Sequence, residues 1–97
     1  MEMIQTQGIA MPKLGLGTFK LTEAAGQAAV ESALAEGYRH IDTAEMYGNE
    51  EIVGAAIAAS GVDRRELHVT TKVWHDHLAP DAIRRACDDS MKRLRLD

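Results

Sequence analysis

His40-Ile41-Asp42, flanked by Gly37-Tyr38-Arg39 and Thr43-Ala44, is a short extended apolar run between two segments of helical periodicity. The upstream helix starts at Thr22, a residue type suited to an N-cap, carries Ala25, Ala28, Ala29, Ala33 and Leu34 on one side, and stops at Gly37. The downstream helix runs from about Asn49 to Gly61, with Glu50 and Glu51 in its first turn, where carboxylates suit the positive end of the macrodipole. Its apolar side is Ile52, Val53, Ala56 and Ile57. Two more extended runs lie further out, Leu14-Gly15-Leu16 before the first helix and the β-branched Leu67-His68-Val69-Thr70-Thr71-Lys72-Val73 after the second. A third helix opens at Pro80-Asp81 and spaces Ile83, Cys87, Ser90 or Met91, and Leu94 along one stripe, with Lys92, Arg93 and Arg95 in its last turn. A lead-in from Ile4 to Met11, with Gly8 in its middle, reads as a small hairpin.

Strand and helix therefore alternate three times, which predicts parallel strands joined by right-handed helical crossovers. Both an open doubly wound sheet and a closed (β/α)₈ barrel satisfy this pattern, and periodicity does not separate them. A barrel takes about 250 residues, and three strands leave long unpaired edges. With the stop after Leu94-Arg95-Leu96-Asp97, these features predict a single incomplete domain over residues 1–97, part of a larger protein and able to self-associate through its open sheet edges.

The 97 residues carry eleven Lys plus Arg against fifteen Asp plus Glu, a net charge of −4, which excludes a basic nucleic-acid binder. A hydrophobic fraction of 45% predicts a folded chain rather than a disordered one. One cysteine, Cys87, excludes an internal disulfide and suits a reducing compartment. There is no basic or apolar leader and no run long enough to span a membrane. The expected location is the cytoplasm.

Asp42 and Lys72 fall at or near the carboxyl ends of expected strands, and Tyr47 sits in the loop after the first of them. In parallel α/β folds, sites are built on that edge. An Asp and a Lys there are tolerable as a hydrogen-bonded pair, and on position alone they are as well read as a structural ion pair. Tyr47 adds chemistry, because an ammonium beside a phenol favours its ionised form and makes it a better proton donor to a carbonyl oxygen near neutral pH.

Other features carry no expected function. His75-Asp76-His77 lacks the spacing and third ligand of a zinc site and reads as a solvated loop, so no metal is expected. His40 and His68 read as satisfied core or edge histidines, and Cys87 as a small buried hydrophobe. Gly8, Gly15 and Gly17 do not form a dinucleotide fingerprint, since Thr18-Phe19-Lys20 follows in place of a helix start. Arg64-Arg65 and Arg84-Arg85 read as solvent-facing charge pairs.

Gly37-Tyr38-Arg39-His40-Ile41-Asp42-Thr43-Ala44, followed by Glu50 and then Val53-Gly54, resembles without departure the first signature of the aldo-keto reductases. Leu14-Gly15-Leu16-Gly17-Thr18-Phe19 is similar to that family's first strand and loop, and Thr71-Lys72-Val73-Trp74 to its third strand. Within the family the chain looks nearest to bacterial 2,5-diketo-D-gluconate reductases, which also reduce methylglyoxal. The resemblance implies the N-terminal portion of a (β/α)₈ TIM barrel, with three βα units and a leading hairpin. It also implies an NADPH-dependent enzyme that reduces small-molecule carbonyl substrates to alcohols. By position, Tyr47 would be the general acid, Lys72 the residue that tunes it, and Asp42 the partner of Lys72. Gly17, Thr18 and Asp42 would border the nicotinamide end of the cofactor, and Phe19, Tyr47 and Trp74 the substrate. The family's catalytic histidine at the end of its fourth strand, and its basic loop for the 2′-phosphate, would lie beyond Asp97. Little activity is therefore expected of these residues alone, and the competing expectation is a non-catalytic piece acting in binding or assembly.

Overall fold

A computed structural model describes residues 2–96. The lead-in is the expected hairpin, β1 (Met3–Thr6) paired antiparallel with β2 (Ile9–Pro12). Gln7 and Gly8 both take positive φ, +48° and +80°, the left-handed two-residue loop whose twist matches that of the strands. Glycine accepts that geometry without strain at the second position.

The chain then alternates β3 (Leu16–Gly17), α1 (Glu23–Ala35), β4 (His40–Asp42), α2 (Glu50–Ser60), β5 (His68–Thr70) and α3 (Pro80–Leu94). Three single 3₁₀ turns, Glu45–Tyr47, Arg64–Glu66 and His75–His77, sit in the connections. The sheet is parallel in the order β3-β4-β5, with Leu16 opposite Ile41, Gly17 opposite Asp42, and His40, Ile41 and Asp42 opposite His68, Val69 and Thr70. The first strand lies slightly later than Leu14–Leu16, and Leu14 is exposed. β5 is shorter than the run Leu67–Val73, yet its hydrogen bonding to the β4 segment extends on both sides. His68 N–H donates to Arg39 O (2.8 Å), Thr43 N–H to Thr70 O (2.7 Å) and Glu45 N–H to Lys72 O (3.0 Å).

Period-two alternation sorts the sheet into two faces. Leu16, Ile41 and Val69 pack toward the helices, in a core with Val30, Leu34, Val53, Ala56, Ile57, Leu67 and Leu94. His40, Asp42, His68 and Thr70 occupy the opposite face, where the His40 and His68 rings meet edge-on at 4.8 Å and His40 Nε2 lies 3.2 Å from Thr70 Oγ1. His40 is thus hydrogen-bonded, as expected, while His68 is held by the ring contact.

α2 buries Val53, Ala56 and Ile57 as expected, whereas α1 and α3 turn inward faces that only partly match those the sequence suggests. In α1 the buried residues are Gly26, Val30, Ala33 and Leu34, while Ala25, Ala28 and Ala29 are exposed. Burying Val30 and Leu34 removes more apolar area from water than burying alanines, so the larger residues set the face. Thr22 is the N-cap residue but makes no side-chain cap hydrogen bond. In α3 the buried stripe is Ala86, Ser90 and Leu94, and Cys87, expected inside, is exposed together with Ile83. Among the described residues α3 packs chiefly on α2, and the side facing α2 is the one that carries Ser90 and Leu94. That approach is close at Gly54, where a Cβ would stand 2.7 Å from the carbonyl oxygens of Arg93 and Leu94. Among the described residues no helix is long and apolar enough to cross a membrane.

Candidate active site

The parallel register brings the carboxyl ends of β3, β4 and β5 to one edge, and the residues singled out from the sequence gather there. Asp42 ends β4, and Lys72 follows β5 by two residues, so both project from the face that carries His40 and Thr70. Lys72 Nζ donates to Asp42 Oδ1 and to the carbonyl oxygen of Thr43, the latter at 2.9 Å. The ion pair is about half exposed, with side-chain accessibilities of 48% for Lys72 and 45% for Asp42, so solvent reaches it and so can a ligand. Partial burial by itself lowers the lysine pKa. The hydrogen bond and charge of Asp42, with a further contribution from Tyr47, outweigh this and hold Lys72 above the ordinary lysine value. Lys72 is an ammonium throughout the neutral range.

Tyr47 closes the 3₁₀ turn after β4, and Lys72 Nζ stands 5.4 Å from its ring centroid. Phe19 lies on one side of Tyr47 with ring centroids 5.2 Å apart, and it is 61% exposed. Beside Tyr47 a hollow of about 280 Å³ is lined by Ala44, Met46, Tyr47, Lys72, Val73, Trp74 and His75. Its exposed apolar walls and single ammonium suit a small polar molecule with an apolar flank.

The residues expected near a cofactor divide into two kinds. A Cβ on Gly17, opposite Asp42, would meet nothing within 4 Å, so the backbone there faces open space beside the half-exposed carboxylate. Thr18 is fully buried, and its N–H (3.0 Å) and hydroxyl (3.2 Å) both donate to the Asp42 carbonyl oxygen. Its donors are therefore committed to fixing the Asp42 backbone.

Three further residues support the site. Asn49, fully buried, donates through Nδ2 to Thr18 O (2.6 Å) and Leu21 O (2.9 Å) and accepts the Thr43 hydroxyl at 3.1 Å. It staples the loop after β3 to the loop after β4. Glu50, read from the sequence as a carboxylate in the first turn of α2, is only 1% exposed. Its carboxylate accepts from Thr71 Oγ1 (2.6 Å), Ser90 Oγ (3.1 Å) and Arg93 Nε (2.8 Å), tying α2 to α3 and to the residue next to Lys72. Glu45 reaches from the Tyr47 turn to the loop after β5, where Oε2 accepts the Trp74 N–H at 2.8 Å and Oε1 lies 2.6 Å from His77 Nδ1. The Trp74 hydrogen bond lowers the Glu45 pKa, against the opposing effect of burial and with help from His77. The signal for Glu50 lay in the quoted motif itself, where a glutamate stands at a fixed place after Ala44. Nothing local marked Asn49 or Glu45. His75-Asp76-His77 forms a 3₁₀ turn rather than an irregular loop, and among the described residues no group of three His, Cys, Asp or Glu side chains is placed to hold a metal ion.

Three parallel strands joined by two helical crossovers and followed by a third helix, with Asp42, Tyr47 and Lys72 drawn together at the strand ends, have the form of a site on the catalytic face of a β/α barrel. The aldo/keto reductase family model matches residues 13–97, and the chain belongs to that family. It is 47% identical over 89 residues to methylglyoxal reductase DkgB of Salmonella typhi, covering 92% of this chain and 33% of that protein. A solved structure provisionally named 2,5-diketo-D-gluconic acid reductase B superposes with a TM-score of 0.94 at 42% identity, covering 100% of this chain and 34% of the other. An aldo-keto reductase of Bombyx mori solved in complex with NADP superposes with a TM-score of 0.90 at 43% identity, covering 99% and 35%. The chain thus has the fold of the N-terminal portion of a (β/α)₈ barrel and spans about a third of the length of the relatives it matches.

Proposed function

We propose that the protein acts as a reductase of aldehydes and ketones, small dicarbonyls such as methylglyoxal or 2,5-diketo-D-gluconate among them, with NADPH as the hydride donor. The observation that carries this reading is the Lys72 ammonium, bound by Asp42 and lying over Tyr47 at the mouth of an open apolar hollow. In this reading a carbonyl oxygen approaches the Tyr47 hydroxyl, which hydrogen-bonds to it and gives it a proton as negative charge develops there. Lys72 stabilises the phenolate left behind, and Asp42 holds the ammonium in place by charge and hydrogen bond. In this reading Trp74 walls the substrate in the hollow, and Phe19, packed beside the Tyr47 ring, borders it.

The open backbone at Gly17 and the accessible Asp42 carboxylate fit the carboxamide-bearing end of a nicotinamide, and Thr18 contributes by fixing the Asp42 backbone. When bound, NADPH supplies the hydride. The residues that would grip its 2′-phosphate, and the family's catalytic histidine, belong to the part of the barrel this chain does not span. Residues 1–97 alone are accordingly proposed to turn over little substrate. A cytoplasmic location fits the lone cysteine.

The test is the loss of NADPH absorbance with methylglyoxal, measured on residues 1–97 and on the protein together with whatever sequence its gene carries beyond them. Tyr47→Phe lowers kcat by about two orders of magnitude or more while NADPH affinity is retained. Normal turnover in that variant removes Tyr47 from the proton-donor role. A second reading, assembly or binding without catalysis, is favoured by the outer edges of β3 and β5, which no strand covers among the described residues. Light scattering decides it, since edge pairing gives a concentration-dependent dimer or larger species.

A further inference from the structure

We propose that Glu45 and His77 are positioning residues that clasp Trp74 against the substrate hollow and so set which carbonyl compounds it admits; the specificity part rests on the reductase reading above. Glu45 lies two residues before Tyr47, and its main chain is fixed by donation to Lys72 O at 3.0 Å. Its side chain crosses to the other loop. One carboxylate oxygen accepts the Trp74 N–H at 2.8 Å, and the other meets His77 Nδ1 at 2.6 Å. The carboxylate is 11% exposed, against 43% for the His77 side chain, so the acid is the buried half of the pair and the imidazole its lid. Burying a carboxylate without partners is costly, and these two donors are what make its position tenable.

The aromatic geometry shows what the clasp holds. The Trp74 indole meets His77 edge-on at 6.2 Å and His75 at 6.0 Å, and the same residue walls the hollow beside Tyr47 and Lys72. His77 ends the 3₁₀ turn that follows Trp74, and α3 begins three residues later at Pro80. Glu45 thereby links the Tyr47 turn, the Trp74 wall and the entry to α3. The other charged groups bordering the pair are Arg85 and Asp89 on α3 in one adjoining hollow, and Glu50 and Glu51 on α2 and Arg93 on α3 in another. Glu45 and His77 project from the Tyr47 and Trp74 loops without joining the Asp42–Lys72 pair. Replacing their side chains leaves the main-chain bond from Glu45 to Lys72 in place.

Trp74 is the only tryptophan of the chain, so its fluorescence reports the clasp directly. Glu45→Leu and His77→Leu are each expected to shift Trp74 emission to longer wavelength and to raise acrylamide quenching about twofold, with far-UV circular dichroism unchanged. Glu45→Gln, whose amide oxygen still accepts the Trp74 N–H, restores the original emission. In the protein with its full native sequence, Glu45→Leu raises KM for bulky aromatic aldehydes about tenfold and changes kcat for methylglyoxal by less than about twofold. Unshifted emission in both leucine variants overturns the clasp. Shifted emission with equal falls in kcat for every substrate overturns the specificity role. If the unsubstituted protein reduces no carbonyl compound, the reductase reading fails and the specificity role with it, while the emission measurements still decide the clasp.

Discussion

Glu50→Ala is the most demanding test of how the site is supported, because this carboxylate ties together α2, α3 and the segment after β5. It is 1% exposed and accepts hydrogen bonds from Thr71, Ser90 and Arg93. Arg93 also reaches it through a terminal nitrogen at 2.7 Å, with 32% of the arginine side chain exposed. Removing the acid strands one partly buried guanidinium and two hydroxyls at the junction of α2, α3 and the end of β5. Breaking a buried pair from one side costs about 3–5 kcal/mol. A domain of this size has a total stability of about 5–15 kcal/mol, and each kcal/mol moves Tm by about 4–8 °C. The variant should therefore melt at least about 12 °C lower, or be substantially unfolded at room temperature. Glu50→Gln keeps one acceptor and loses the charge facing Arg93, and falls between, at about 1–3 kcal/mol. Glu51→Ala, on the same turn but exposed, is the control and should stay within about 0.5 kcal/mol of the unsubstituted chain. Urea unfolding followed by far-UV circular dichroism measures all three. A Glu50→Ala variant within about 1 kcal/mol of Glu51→Ala would refute the claim that this acid anchors α2, α3 and the Lys72 segment.

Gly54→Ala drives a Cβ to 2.7 Å from two α3 carbonyl oxygens, so α3 must shift, and equilibrium unfolding should show a loss of about 1–3 kcal/mol. Arg95 caps α3 at φ +58°, where glycine carries no Cβ penalty, so Arg95→Gly should raise stability by about 0.5–1 kcal/mol in the same assay. Exposed Cys87 should react stoichiometrically with a thiol reagent in the absence of denaturant; protection until unfolding would return it to the core. Burial, with the nearby His40 and Arg64, lowers the His68 pKa, so the unfolded chain takes up this proton first. Stability should then fall as pH drops below about 6.5, the ordinary histidine value. Replacing His68 by an uncharged residue of similar size should flatten that part of the pH profile. Glu45, lowered by its bond from Trp74, contributes stability above the ordinary glutamate range and loses it as pH falls through its own lower value. A second acid-side step in Trp74 emission would report this.

The parallel sense of the strands and the gathering of Asp42, Tyr47 and Lys72 were legible because both rest on local signals. Alternation of extended and helical runs dictates parallel strands, and parallel strands bring their carboxyl ends to one edge. A residue at a strand end can be placed on that edge from its position alone. The facing of the helices was less legible. In α1, alanines fill so many positions that the pattern is nearly uniform around the helix, and Val30 and Leu34 alone carry enough area to choose a side. In α3 the expected stripe holds at Ser90 and Leu94, which face α2, but its upstream end turns out at Ile83 and Cys87 and Ala86 is buried instead. Which of two faces is buried depends on a neighbour that no local period encodes.

The same distinction explains why the supporting polar residues escaped notice. Asn49 and Glu50 begin a helix, the place where their types are ordinary, and what separates them from Glu51 is partners 21 to 43 residues away in sequence. Those partners converge on the proposed reacting groups. Asn49 holds Thr18 and Thr43, which flank Asp42 from β3 and from β4 itself, and Glu50 holds Thr71, the neighbour of Lys72. Each half of the Asp42–Lys72 pair is thus fixed by a different buried side chain of the same two-residue step. The helix start sets the separation of the two strand ends to within a hydrogen-bond length. Support of this kind, from buried groups on packed elements, is what the proposed proton-transferring group requires to keep its geometry.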